Sequence, residues 1–408
     1  MVKEMINMSI VQKFPALGYK NFRYFIAGQG VSLIGTWMQR IAQQWVIYKM
    51  TGSAVSLGMI GVFQYTPMLI FSLFAGSLIE RFPKKKFLIS MQIFQTIQAL
   101  ILTILIWQNL AKPWHIMIMA GILGFINAFD MPARQSFFMD LVGKDAIHSA
   151  IGLNSTIVNI GKILGPAIGG YFLSEFGETV CFLFNTLSFL AVIYGLIKID
   201  GFEEKRVPRK INILKDSYEG LLYVMKNKKI LGVLCALFVV STIAMNNEVI
   251  IPVFAREVLG LDSRGFSFMY SALGLGSLVG ALKNASRKKA VLDLKIIYFA
   301  GGIIGLGLFT LSFVSIYFFV LAILFIMGYA TVIFMNFCNT TVQLNSNEEY
   351  RMRAISVYTL IFTGTTPLGN FLIGHITELF GVKISLMIAG LLTMILLLMF
   401  KKYFKNIK

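Results

Sequence analysis

The sequence predicts an all-α polytopic membrane protein: twelve transmembrane helices in two six-helix pseudo-repeats. Three observations carry that prediction. Hydrophobic residues make up 57% of the 408 positions and charged ones only 14%, whereas a soluble domain has roughly 45–50% and 25%. Apolar runs long enough to cross a bilayer, about 20 residues each, recur from Asn21 to the C-terminus. Short motifs of the first half return in the second: Gly76-Ser77-Leu78-Ile79 as Gly276-Ser277-Leu278-Val279, and Pro166 as Pro367.

This composition excludes a soluble enzyme, a disordered chain and a secreted disulfide scaffold. The three cysteines, Cys181, Cys235 and Cys338, are odd in number and lack metal-ligand spacing, so neither a disulfide framework nor a zinc site is expected. The segment from Met1 to Phe14 has no apolar core followed by a small-residue cleavage site, and no signal peptide is expected.

Read between charge clusters and Pro/Gly punctuation, the spans fall at 22–49, 54–79, 87–110, 113–139, 149–174, 180–199, 230–256, 265–283, 292–312, 314–343, 354–377 and 381–403. The tenth runs into the polar stretch Asn336 to Asn347. A formal net charge of +18 fits nucleic-acid binding in a soluble protein, but here the charge is sorted by side. Nearly all Lys and Arg outside the spans lie on the side that carries both termini, with only Lys49, Lys112, Arg256, Arg264 and Lys383 on the other. The positive-inside rule makes the terminal side cytoplasmic.

The organisation expected is an N-terminal six-helix half (1–199), a cytoplasmic linker (200–229) and a C-terminal six-helix half (230–408). In the linker, Ile211, Leu214, Tyr218, Leu221 and Met225 recur at helical spacing beside Lys210, Lys215, Lys226 and Lys228. That is the pattern of an amphipathic helix on the inner membrane surface. A plain tether between the halves is the other reading. Parallel repeats of this kind place a substrate path at their interface.

Two motifs sharpen the reading. After span 2 comes Gly76-Ser77-Leu78-Ile79-Glu80-Arg81-Phe82-Pro83-Lys84-Lys85-Lys86. A carboxylate in such a turn can face the N-terminus of a neighbouring helix, where the dipole favours negative charge. Span 5 carries Gly152, Gly161, Gly165, Pro166, Gly169 and Gly170. Gly161, Gly165 and Gly169 share one face and admit a close helix partner, while Pro166 removes a backbone donor and favours a bend. Together they suit a rocking interface between the halves on the outer side of the site; generic small-residue packing is the plainer alternative.

The first motif resembles the loop 2–3 signature of the major facilitator superfamily, with Glu80 where that family usually has Asp and Pro83 where it has Gly. The second matches that superfamily's antiporter motif at its six fixed positions. Further segments narrow the likeness: Gly35 to Trp45, Ala128 to Gln135, Leu153-Asn154-Ser155, Cys181-Phe182, Asn185 to Phe189 and Glu219 to Val224. The set looks like the branch that includes the enterobactin exporter and macrolide-efflux-like proteins. The resemblance covers most of the first half strongly and the second half weakly. It implies a multi-pass protein of the bacterial cytoplasmic (inner) membrane that exports an amphiphilic small molecule by antiport with protons. The helix-4 arginine pattern of many drug–proton antiporters is absent.

Polar groups inside spans are costly and mark function. Span 1 carries Gln29, Ser32, Thr36, Gln39 and Gln43 at spacings of three and four, with Arg40 beside them. Gln39, Arg40 and Gln43 offer donors to a polar or anionic part of a substrate; interhelical hydrogen bonding is the alternative. Asn127, Asn336, Thr340 and Thr363 are expected to join them in lining the cavity. Asp130 and Arg134, one turn apart in span 4, can pair with each other or join Gly76, Glu80 and Arg81 in a conformational latch; Asp130 is also a possible proton carrier. Glu248 in span 7, before Pro252, is the preferred proton site, because desolvation favours the protonated form of a carboxyl group. The alternative is an outer carboxylate paired with Arg256. Lys162 lies between the span-5 glycines and can meet a carboxylate or substrate. His375 reads as a hydrogen-bonded interface residue.

The partners expected are thus an amphiphilic small molecule, protons and membrane lipids, without nucleic acid, metal or cofactor, and with a monomer sufficient for a complete pathway. A lipid or lysolipid transporter of the same fold is a second reading. A membrane-embedded enzyme is a third, but His115, His148 and His375 are scattered and unaccompanied. No Gly-Lys-Ser/Thr phosphate loop is present.

Overall fold

In hydrocarbon every backbone N–H and C=O must find its partner within the segment, so long apolar runs fold as helices. A computed structural model describes residues 14–79, 82–200, 213–285 and 294–404. A short 3-10 turn, Pro15–Gly18, precedes α1 (Lys20–Thr51), α2 (Ala54–Ile79) and α3 (Lys84–Trp107). α4 (Pro113–Phe176) is continuous in hydrogen bonding but contains Gly143 at φ 68°, ψ −174°, a backbone position open to glycine and strained for other residues. Gly143 therefore divides α4 into arms, 113–142 and 144–176, which run in opposite directions and supply spans 4 and 5. α5 (Glu178–Ile197) completes the first six spans.

α6 (Ile213–Lys226) is the linker helix. Span 7 is broken: α7 (Lys228–Val239) passes through a π turn, Val240–Ala244, into α8 (Asn247–Glu257). α9 (Ser263–Ala285), α10 (Leu294–Leu311), α11 (Tyr317–Leu344), α12 (Arg351–Phe380) and α13 (Val382–Tyr403) follow. Among the described residues nine helices are long and apolar enough to cross a membrane, and α4 is one of them although it crosses twice. The remaining two spans are α1 and α12, whose polar stripes lower their hydropathy. The twelve expected spans are all present, several longer than expected by a turn.

Two buried apolar clusters form. One joins Phe22, Phe25, Phe137 and Phe138 near the end that carries the termini. The larger runs through the last six spans and takes in the other ends of α1, α2 and α5. Helix association inside a membrane depends on close packing rather than on expulsion of water, and glycine supplies the closeness: a Cβ at Gly28 or Gly195 would strike the carbonyl of Ala191 or of Tyr24. Phe299, Phe318 and Leu398 remain exposed, as lipid-facing side chains do.

The linker helix docks on the last six spans. Tyr223 stacks on Tyr350 with ring centroids 4.7 Å apart, its hydroxyl accepts the Asn347 N–H at 2.9 Å, and Arg353 donates to Glu219 at 2.5 Å. Leu221 and Met225 stay exposed. Ile211, and the side chains of Leu214 and Tyr218, lie outside the described residues.

Candidate functional site

α1 is a polar helix held inside an apolar bundle, and several of its polar side chains are paired with partners far along the chain. Gln29 Nε2 donates to Asn154 at 3.1 Å, Thr36 Oγ1 to Asn185 at 3.4 Å, and Asn185 Nδ2 to Gln39 Oε1 at 2.7 Å. These bonds tie α1 to the second arm of α4 and to α5. They also fix one edge of a cavity of about 270 Å³. Its lining includes Gln39, Arg40, Gln43, Asn127, Asp130 and Arg134, and continues to Gln135 and Asn154 near the end that carries the termini.

The expected cavity residues of the first six spans, Gln39, Arg40, Gln43 and Asn127, come together here. Asn336, Thr340 and Thr363 do not: they are half-buried on α11 and α12 and line no part of this cavity. The physical reason is that α11 and α12 turn their most buried positions, such as Phe334, Cys338 and Tyr358, into the apolar cluster of the last six spans.

A second polar layer lies on α3, where Gln92, Gln95 and Gln98 are all buried. Gln92 Nε2 donates to Asp130 Oδ1 at 3.1 Å, and Gln95 Nε2 to Asn127 Oδ1 at 3.0 Å. Asp130, 3% exposed, also accepts from Arg134 Nε at 2.5 Å. The local pairing expected from their spacing is therefore formed. Glu80 and Arg81, the other members of the expected latch, lie outside the described residues; Gly76 sits near the end of α2. Nearby, Lys84 pairs with Asp140 at 2.6 Å, and Lys85 donates to the Ile199 carbonyl at 2.7 Å.

Arg40 crosses from α1 to Glu248 on α8 and also donates to the Tyr65 hydroxyl, which lies 3.2 Å from the same Glu248 oxygen. Glu248 is thus paired with Arg40, while Arg256 lies over the Tyr48 ring, 5.6 Å from its centroid. Beside this cluster the Tyr270 hydroxyl reaches Gln44 Oε1 at 2.8 Å and the Asn247 carbonyl at 3.0 Å. Tyr65, Tyr270 and the α3 glutamines were missed by the sequence reading. The spacing of three in Gln92, Gln95 and Gln98 was a legible signal; the tyrosines gave none.

Further contacts between the first and last six spans gather at the end opposite the termini. Tyr48 donates to Glu257 at 2.5 Å, Arg264 pairs with Glu175, and Glu378 accepts the Ala54 N–H at 2.7 Å. The last of these places a carboxylate at the N-terminus of α2, where the helix dipole favours it.

The span-5 glycines divide their work. A Cβ at Gly161 would press on Leu33 and Trp37, at Gly165 on Trp37 and the Ile34 carbonyl, and at Gly169 on Met38. This stripe therefore packs on α1, within the first six spans, where the sequence had placed it at the interface between halves. Gly170 does face the other half, against Ser263 and Ser267 of α9, whereas Gly152 has open space around it. Pro166 is buried. His375 bonds to the Phe371 carbonyl at 2.9 Å and rests on its ring, contacts within α12 itself rather than across the helix interface expected of it.

A twelve-span helical bundle with a polar cavity among its helices and one end tied shut is a membrane transporter. The chain belongs to the transmembrane secretion effector family of the major facilitator superfamily, whose sequence pattern it matches over residues 12–406. It is 23% identical over 397 residues to the staphyloferrin A transporter of Staphylococcus aureus, covering 95% of this chain and 96% of that one. It is 22% identical over 372 residues to macrolide efflux protein A of Streptococcus pyogenes, covering 90% and 91%. Among solved structures, the nucleoside transporter NupG superposes with a TM-score of 0.76 at 10% identity over 95% of this chain and all of that one. A POT family transporter in complex with 5-aminolevulinic acid gives 0.77 at 10% identity, covering 96% and 97%. These likenesses make the chain a transporter rather than an enzyme.

Proposed function

We propose that the protein exports an amphiphilic small molecule across the bacterial cytoplasmic membrane in exchange for protons, by alternating access. The observation that carries this reading is the Arg40–Glu248 pair, which ties α1 to α8 beside the closed end of the cavity. The end with the termini is the cytoplasmic one by the distribution of Lys and Arg, so the described conformation is open inward and closed outward. A proton on Glu248 removes the negative partner of Arg40 and loosens the tie. In the outward-open state Glu248 takes a proton from outside; the emptied carrier returns and gives it up to the cytoplasm, re-forming the pair. Relatives named for macrolide and multidrug efflux support the direction. The clustering of Tyr48–Glu257, Arg264–Glu175 and Glu378–Ala54 at the other end supports the conformation.

The substrate path is proposed to run past Gln39, Arg40, Gln43 and Asn127, with a single chain sufficient for it. The Asp130–Arg134–Gln92 network holds the first six spans together and acts as a latch, not as the proton carrier. The test is transport in proteoliposomes with an imposed pH gradient, using amphiphilic dyes, macrolides and catechol siderophores. Gradient-driven movement in the wild type that is lost in Glu248→Gln but kept in Asp130→Asn supports the reading. Movement that ignores the gradient and survives both substitutions overturns proton coupling.

A further inference from the structure

At and beside the closed end of the cavity there are more donors than the described structure uses: Arg40 and Gln43 line the cavity, and Lys162 stands next to it against Trp37. Arg40 and Lys162 both lie against the Trp37 ring, with the guanidinium carbon 4.8 Å and the ammonium nitrogen 5.9 Å from its centroid. Glu248 is bonded to Arg40. Among the described residues Lys162 has no ion pair and no hydrogen bond. One turn along α1 from Arg40, Gln43 lines the cavity, is 6% exposed, and its Nε2 has no hydrogen-bond partner among the described residues. A buried amide donor left unpaired is costly, and Lys162, half-buried, is a partly desolvated positive charge without a counter-charge, which is costly too. Both costs are relieved by the same kind of group, one that is negatively charged and accepts hydrogen bonds.

We infer that Arg40, Lys162 and Gln43 form an anion subsite, and that the transported molecule carries a carboxylate or comparably charged group seated there with its apolar part along the cavity. This deepens the export reading and rests on it. The rest of the lining supports the division of labour. Asp130 and Arg134 neutralise one another, and Asn127, Gln39 and Asn185 are bonded among themselves or to Gln95, so the excess positive charge is confined to one end. Leu33, Val158 and Phe189 line the cavity below it and offer an apolar wall. A seated anion balances Lys162 and contests Glu248 for Arg40. Substrate loading would therefore weaken the same pair that a proton weakens, and the inside-negative potential favours outward movement of the anion.

The test uses purified full-length protein in detergent and the fluorescent probe 1-pyrenebutyrate, with its methyl ester and a pyrenebutyl-trimethylammonium analogue as controls of the same apolar body. Binding is followed by fluorescence, with detergent partition subtracted. The expected result is that the carboxylate binds at least about tenfold tighter than the ester, the size of one charge-assisted hydrogen bond, and that the cation binds weakest. Lys162→Met is expected to shrink that preference while leaving ester binding unchanged, Gln43→Leu to shrink it whatever it does to the ester, and Lys162→Arg to keep it. Equal binding of all three probes by the wild type, or preference for the cation, overturns the subsite without recourse to any variant. A preference untouched by Lys162→Met in folded protein also overturns it. Gradient-driven transport is then measured with the same probes. Headgroup-selective binding without transport sinks the export reading and leaves the subsite standing; gradient-driven transport without headgroup selectivity does the reverse.

Discussion

Arg40 and Glu248 stand 208 residues apart in the chain and form one ion pair, joining the first six spans to the last six. Their side chains are 25% and 19% exposed, so cavity water reaches them without dissolving the pair. Removing one partner of a buried pair costs about 3–5 kcal/mol because the other charge is left uncompensated; water in the cavity should bring this to about 2–3. Arg40→Gln and Glu248→Gln are each expected to lower thermal stability by that amount, and the double variant to recover at least half of the summed loss. Thermal unfolding of the four proteins in one detergent is the check, and simple additivity would mean that the two residues do not interact.

The glycines of span 5 are predicted to be unequal. Gly165→Val drives side-chain carbons into Trp37 and the Ile34 carbonyl, an overpacked helix contact worth about 1–3 kcal/mol or more. Because Trp37 also carries Arg40 and Lys162, the damage should reach transport. Gly152→Ala meets nothing within 4 Å and should change stability by less than about 1 kcal/mol, with helix propensity in its favour. Stability and transport measured on both variants test this. A Gly152→Ala protein that folds but does not transport would show that Gly152 finds its neighbour only in the outward-open state.

The bundle was legible in the sequence because a span must be both long and apolar, and Lys and Arg sort by side. The span-5 spacing was legible too, but not its partner. Gly161, Gly165 and Gly169 announce that something comes close, and only the fold shows that it is α1 rather than a helix of the other half. Asp130 and Arg134 could be paired on paper because one helical turn separates them. Glu248 could not: a neighbour on its own helix, Arg256, competes with every cation elsewhere in the chain. Pro252 is the visible helix breaker in span 7, yet the helix changes pitch at Val240–Ala244, where the sequence has neither proline nor glycine. Polar stripes on α1 and α12 look alike in sequence, but α1's lines a cavity and Asn370 of α12 is packed against α2.

Asn370 is 1% exposed, neither of its amide atoms has a partner among the described residues, and it fills the niche left by Gly58 and Gly61 on α2. A side chain at Gly61 would collide with its amide. Gly61→Val is therefore expected to push α2 and α12 apart and to unseat Glu378 from the Ala54 N–H one helix end away. In membrane vesicles, a cysteine introduced by Val55→Cys should react several-fold faster with an impermeant maleimide when Gly61→Val is also present. An unchanged rate would mean that α2 and α12 absorb the extra volume without opening.

Asp130 tests how far the two carboxylates inside the bundle share their duties. Its oxygens accept from both Gln92 and Arg134, so Asp130→Asn keeps a hydrogen-bonding oxygen for Gln92 but leaves the Arg134 charge without its partner. The cost expected is about 3 kcal/mol in stability, and Arg134→Gln in the same background should return part of it. If the network is a latch, Asp130→Asn protein that folds still moves substrate with the pH gradient, with a changed balance between inward- and outward-open forms. Measured in the proteoliposomes used for Glu248→Gln, full loss of coupling in Asp130→Asn with coupling retained in Glu248→Gln would transfer the proton from α8 to α4. Loss in both would make the two carboxylates successive stations on one proton route, with Arg40 and Arg134 as the cations each releases in turn.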